Sequence, residues 1–247
     1  MKISFYLDYQ EDLHYIFSRL VSPDPAGLEN RIKQKGFDSR FVNDFFKARD
    51  KKQKLSILDN YLKKYYLENQ IGFEKVKTEY EKIWRKNSNF FFSTTTKIMG
   101  GHKWSYETYD FLVSSFFSRA QWGNGNKLAV WWKRSPNKYW YLNGYELILS
   151  HVFEVVDQIY KKRPVSDWHL WAIAESVAYI LVYREGKLKS FLWPDLEEPK
   201  SFSYPQLIKH VNYFENILKK TLNFDNFLKE AVCYITGFNK KEILKFS

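Results

Sequence analysis

The spacing of hydrophobic positions changes several times along the chain, and each change predicts a structural element. Residues 2–7 place Ile, Phe and Leu at every second position, which predicts a short strand. Residues 28–85 place apolar side chains three and four positions apart, which predicts helices. The spacing changes at 90–101, FFFSTTTKIMGG, where aromatic and β-branched residues are followed by two glycines. Residues 127–142, KLAVWWKRSPNKYWYL, place two β-prone runs around a turn and predict an antiparallel hairpin.

Helical spacing returns after the predicted hairpin. Residues 143–162 predict one helix, and Asn143 has the side chain of an N-cap residue. Residues 166–186 predict a second helix that starts near Asp167 and contains very few polar positions. Further helices follow toward the C-terminus, each preceded by residues that commonly cap helices.

Together these elements predict an α+β fold. We expect it to be predominantly helical, with a small antiparallel sheet or hairpin at about 127–142 packed on a pair of helices. Neither an internal repeat nor a low-complexity linker divides the sequence, so we expect a single domain over 1–247. Its expected parts are an N-terminal strand with helices over 1–70, a core over 71–186, and C-terminal helices over 187–247.

The composition is that of a folded protein with a large core. Apolar residues make up 45% of the 247 residues and aromatic residues 19%, which argues against disorder. A single cysteine, Cys233, excludes an intrachain disulfide. The sequence has neither an apolar run of membrane-spanning length nor a recognisable signal peptide, so it predicts a cytoplasmic protein without a membrane span.

The chain is basic, with 39 Lys and Arg against 28 Asp and Glu and a net charge of +11. This balance is compatible with nucleic acid as a partner, or with a solvated basic surface that has no partner. Basic residues beside Trp and Tyr are the composition that stacks single-stranded bases, although the same aromatic residues could instead cover the core. The residues of this candidate surface are Trp131, Trp132, Lys133, Arg134, Lys138 and Trp140.

The two predicted helices after the hairpin carry the most informative polar residues. His151 and Glu154 are three positions apart, so both side chains lie on one side of the first helix. Glu175 lies in the second helix, whose nearly continuous apolar surface predicts burial. A buried carboxylate needs a cation, a metal ion or several hydrogen bonds. Because no cation lies on its own helix, His151 is a natural partner for Glu175.

This order of hairpin, histidine helix and glutamate helix resembles the zincin-type metallopeptidases of the gluzincin-like kind. The resemblance covers about residues 125–185, a quarter of the chain. In that family an H-E-x-x-H helix supplies two zinc ligands and a general base, and a downstream helix supplies a glutamate ligand. The stretch LSHVFEVV aligns His151 with the first ligand, and AIAESVAY aligns Glu175 with the third.

The resemblance implies a degenerate H-E-x-x-H helix, because Val152 replaces the general base and Val155 replaces the second histidine. It therefore implies a catalytically inactive homologue that binds or scaffolds an unknown protein or peptide partner. Two alternatives stay open: a nucleic-acid-binding module, and an active metallohydrolase with zinc on His151, Glu154 and Glu175. In the absence of a metal, His151 and Glu175 are expected to form a structural pair.

Overall fold

The computed structural model describes residues 1–21, 32, 36–116, 121–122, 125–199, 204–221 and 223–237, with the backbone alone at 121–122. These residues are predominantly helical and include one small sheet, which confirms the α+β class. In this part of the chain, no helix combines the length and the apolar character needed to cross a membrane.

Short strands and helices of very different lengths make up the described residues. The strands are β1 (Lys2–Tyr6), β2 (Thr108–Ser114), β3 (Gln121–Trp122) and β4 (Lys127–Trp131). The helices are α1 (Tyr9–Leu20), α2 (Ser39–Lys47), α3 (Lys51–Ile98), α4 (Pro136–Tyr139), α5 (Tyr141–Ile159), α6 (Asp167–Tyr179), α7 (Gly186–Leu192), α8 (Ile208–Lys220) and α9 (Phe224–Thr236). A π-helical turn, Ile180–Arg184, continues α6, and a 3₁₀ turn, Pro205–Leu207, precedes α8.

The sheet has the strand order β1-β2-β4-β3 and is mostly parallel. β2 and β4 run in the same direction, with Ser114 opposite Trp131, while the two-residue β3 is antiparallel to β4. The predicted antiparallel hairpin over 127–142 is therefore wrong. The chain leaves β4 and begins α4 at Pro136, because a proline suits the first position of a helix and cannot donate within a sheet.

The chain divides into two compact units. The sheet unit comprises Ile3–Trp84 and Tyr109–Tyr139, and the helical unit comprises Met1–Lys2, Arg85–Thr108 and Trp140–Ser247. The boundaries of these two units differ from the boundaries at 70 and 186 between the parts expected from the sequence.

The sheet unit buries an aromatic core. Asp8 caps α1 by accepting from the Glu11 amide, and Asp38 caps α2 in the same way, which fixes where these helices begin. Phe5 of β1 stacks on Phe111 of β2, with ring centroids 5.2 Å apart. The apolar cluster formed with α1, α2 and α3 contains Leu13, Ile16, Leu20, Ile32, Phe37, Phe41, Val42, Phe45, Leu58, Leu62 and Phe116.

The helical unit is built around α6, which packs against α5, α8 and α9. From Ala172 to Tyr179 every residue of α6 is buried, as its continuous apolar surface predicts. Ser166, rather than Asp167, caps this helix by accepting from the His169 amide. α5 begins at Tyr141, so Asn143 is a fully buried residue of the first turn and not the expected N-cap.

The π-helical turn after α6 positions Arg184. Its guanidinium donates to Glu198 at 2.9 Å, to Glu215 at 2.8 Å and to Asn212 at 2.9 Å. A π-helical turn contains one residue more than an α-helical turn, so it rotates the residues that follow it. The turn thereby joins the end of α6 to α8.

Candidate functional site

His151 and Glu154 meet on α5, as their spacing predicts. The imidazole of His151 is completely buried, and its Nδ1 lies 3.2 Å from Oε2 of Glu154. Nε2 of His151 is also buried and has no hydrogen-bond partner among the described residues. Because the neighbouring carboxylate accepts a hydrogen bond, we assign the proton of the neutral imidazole to Nδ1.

The loop over 99–107 covers this histidine. The indole of Trp104 stacks on the His151 ring, with centroids 4.0 Å apart and planes 8° from parallel. The Trp104 indole N–H donates to Thr96, which ties the loop back to α3. The Ser105 amide donates to Glu154 at 3.1 Å. His151 is therefore enclosed by side chains of its own unit.

A second histidine–carboxylate pair holds the same loop. Nε2 of His102 lies 2.6 Å from Oδ1 of Asp225, in the first turn of α9. Gln158 of α5 donates to the Lys103 carbonyl at 2.8 Å. The loop is thus attached to both α5 and α9.

Burial keeps His151 neutral. The removal of the ring from water lowers the pKa of His151, and Glu154 raises it by a smaller amount. The charge of the nearby His102 lowers this pKa, and the backbone of His102 raises it. The net effect is a pKa below the ordinary 6.5. At neutral pH His151 is therefore an uncharged ring in an aromatic environment. Its contact with Glu154 is a hydrogen bond and not an ion pair.

Glu175 of α6 is tied to α5 by Tyr145. Its side chain is 6% exposed, and the Tyr145 hydroxyl donates to Oε2 at 2.6 Å and to the Glu175 carbonyl at 3.1 Å. Burial, followed by the proximity of Glu175, raises the pKa of Tyr145 well above its usual 10, so this hydroxyl stays a donor. The prediction that Glu175 is a buried carboxylate is correct, and a tyrosine supplies hydrogen bonds to it.

The predicted metal ligands do not form a metal-binding group. Across the residues that the structure describes, no three His, Cys, Asp or Glu side chains are arranged so that they could hold a metal ion. Of the set His151, Glu154 and Glu175, the first two are in contact, and Glu175 accepts from Tyr145. Val152 and Val155 are completely buried and offer neither a ligand nor a base. This arrangement links α5 to the loop over 99–107 and to α6.

The basic and aromatic residues after β4 lie partly inside the fold. The Trp131 indole donates to the Ser115 carbonyl, and the Trp132 indole donates to the Tyr65 hydroxyl at 3.2 Å. Trp132 also packs on Gly72, where an added Cβ would lie 2.6 Å from its ring. In the helical unit, Trp140 packs on Trp193, with centroids 5.2 Å apart. The three indoles therefore form hydrogen bonds or ring contacts within the protein.

The cations of the same segment lie over aromatic rings in the sheet unit. Lys133 is exposed and lies 5.8 Å from the ring of Tyr65. Arg134 and Lys138 lie 4.9 Å and 5.5 Å from the ring of Tyr139. Cations in such positions keep their charge available to solvent while their stems pack on the rings.

Asp12 of α1 is a completely buried carboxyl group that the sequence-based predictions did not include. Asp12, Ile16 and Leu20 recur at four-residue spacing, and all three are buried. This stripe was the signal available in the sequence, since a carboxylate aligned with two core residues points into the core.

Comparison of the chain with protein-family models, with curated proteins and with solved structures found no match.

Proposed function

We propose that this protein is a non-hydrolytic relative of the zincin metallopeptidases that acts by binding a protein or peptide partner. The observation that supports the loss of hydrolysis is the environment of His151, which stacks under Trp104 and faces Glu154. The positions of the general base and the second histidine hold the buried Val152 and Val155. The order of α5 and α6, with α5 packed on α6, supports the relationship.

Zinc analysis tests the proposal directly. Protein purified without an affinity tag and dialysed against a zinc buffer should contain well below one zinc per chain. Glu175→Ala should leave that content unchanged, as should Glu197→Ala, which alters a surface glutamate and controls for adventitious binding. Peptidase activity on casein should be undetectable for all three proteins. One zinc per chain that is lost only in Glu175→Ala would instead establish a metal site.

A second candidate function is the binding of single-stranded nucleic acid through phosphate contacts. The segment between Asp110 and Glu146 contains no acidic residue. Lys133 and Lys138 are exposed, and neither forms an ion pair with any carboxylate that the structure describes. Because the nearby indoles are held within the fold, contacts to phosphates are favoured over base stacking.

Salt dependence distinguishes this second function. Binding of a fluorescent single-stranded oligonucleotide should weaken steeply with added salt. Lys133→Ala and Lys138→Ala should each lower the slope of log K against log salt by about 1. Lys63→Ala should leave the slope unchanged, since Lys63 pairs with Asp59 at 2.6 Å. Absence of binding at low salt, or equal slopes for all variants, would exclude this function.

A further inference from the structure

The carboxyl group of Asp12 lies at the junction of α1, α3 and the end of β2 in the sheet unit. Its Oδ2 accepts from the Tyr66 hydroxyl at 2.9 Å, from the Ser115 amide at 3.0 Å and from the Ser115 hydroxyl. Its Oδ1 is buried and has no hydrogen-bond partner in the described part of the chain. One carboxyl group thus connects three elements through one of its two oxygens.

Within the described residues, no charge compensates this carboxyl group. Its three donors are neutral, and no cationic side chain that the structure describes is paired with it. The ionisable groups that face it are Tyr66 of α3 and Tyr9 of α1, and Asp8 lies close to Tyr66. None of the three is a cation. An ionised carboxylate in such surroundings is costly, and the usual response is to bind a proton.

We propose that Asp12 is a proton switch, neutral in the folded protein, whose ionisation loosens the junction of α1, α3 and β2. Burial raises the pKa of Asp12, and the nearby polar groups of Ser114, Ser115 and Tyr66 offset this only in part. The complete burial of the side chain and the absence of any cation paired with it among the described residues are the geometric support, and the nearby Ser114 hydroxyl is also neutral.

The switch is connected to a groove on the sheet unit. Two donors to Asp12, Tyr66 and Ser115, are the chain neighbours of Tyr65 and Phe116, whose rings pack 4.6 Å apart. Tyr65 also lines an open groove of about 440 Å³ between α2 and α3. Movement of Tyr66 or Ser115 on ionisation of Asp12 is therefore transmitted to this groove, which makes its shape dependent on pH.

The sign of the pH effect follows from proton binding. Because the pKa of Asp12 is raised on folding, the folded chain retains a proton that the unfolded chain loses near pH 3.8. The stabilisation is complete below that pH and is lost as the pH rises through the folded pKa. Within this window the unfolding equilibrium constant increases by about tenfold per pH unit from this one group.

Carbon-13 NMR of the aspartate side-chain carboxyls tests the protonation state. The Asp12 resonance, assigned by its absence in Asp12→Asn, should titrate above the other aspartates. The Trp132 indole N–H, which bonds to Tyr65, should shift with the same midpoint in the wild type and stay fixed in Asp12→Asn. An Asp12 resonance that titrates at or below 3.8 would overturn the switch. A Trp132 indole N–H resonance that does not shift with the Asp12 midpoint would overturn the connection between Asp12 and the groove.

Unfolding measurements between pH 3 and 8 give a second test. The ratio of unfolding constants, wild type over Asp12→Asn, should rise by about tenfold per pH unit within the window. Asp59→Asn is the matched control, because Lys63 and Tyr9 lower the pKa of Asp59. Its corresponding ratio should rise toward low pH instead. A ratio for Asp12→Asn that does not change with pH would refute the switch.

Discussion

The hydrogen bond from Tyr145 to Glu175 should be among the stronger single interactions between α5 and α6. Tyr145→Phe removes only the hydroxyl, which donates to a buried carboxylate at 2.6 Å and to a carbonyl at 3.1 Å. A hydrogen bond to a charged acceptor contributes about 1.5–3 kcal/mol. We therefore expect Tyr145→Phe to lower the free energy of unfolding by about 2 kcal/mol.

A double-mutant cycle isolates this interaction. In the Glu175→Gln background the acceptor is neutral, so the loss of the hydroxyl should cost about 1 kcal/mol less than in the wild type. Guanidinium unfolding followed by circular dichroism measures all four proteins. Tyr213→Phe, at an exposed surface tyrosine, should change the unfolding free energy by less than about 0.5 kcal/mol. A coupling energy near zero would refute the assignment of Tyr145 as the partner that stabilises the Glu175 carboxylate.

Two further predictions concern the packing and the charge state of α5. Gly144→Ala should lower the melting temperature, because the added Cβ would lie 2.7 Å from a ring carbon of Trp193. Overpacking destabilises a fold by about 1–3 kcal/mol, and the higher helix propensity of alanine offsets less than about 1 kcal/mol of this. Gly186→Ala, where the added Cβ would meet open space, should cause no such loss in a thermal melt. His151 should contribute a loss of unfolding free energy as the pH drops below 6.5, opposite in sign to the contribution of Asp12, because the unfolded His151 binds a proton that the folded ring resists. Denaturation at pH 7.5 and 5.5 should therefore show a change in unfolding free energy that is more negative for the wild type than for His151→Phe, and equal changes would contradict the lowered pKa of His151.

The helix pair could be predicted because apolar residues recur at helical spacing over 143–162 and are almost continuous over 166–186. The apolar surface around Glu175 fixed both the helix and its burial. Tyr145 could not be predicted as the partner of Glu175, because nothing in the local sequence distinguishes it from the other tyrosines. Only the packing of α5 on α6 brings its hydroxyl to the carboxylate. The enclosure of His151 likewise depends on Trp104, 47 positions earlier, in a loop whose path no local pattern specifies.

Local propensity failed where tertiary packing outweighed it. Residues 90–98 are rich in aromatic and β-branched types, yet they form the last turns of α3, where Phe91, Phe92 and Thr95 are buried. Strand propensity reflects the fit of a side chain to a half-buried surface, and a buried helix face can supply that fit.

The π-helical turn at Ile180–Arg184 has a consequence for sequence length among relatives of this chain. Deleting one residue there would restore an α-helical turn and rotate the following residues by about 100°. Arg184 would then turn away from Glu198 and Glu215. A relative that lacks this extra residue must carry its arginine at a different position in the turn. A one-residue gap after α6 in an alignment would thus mark a change in how α6 is joined to α8.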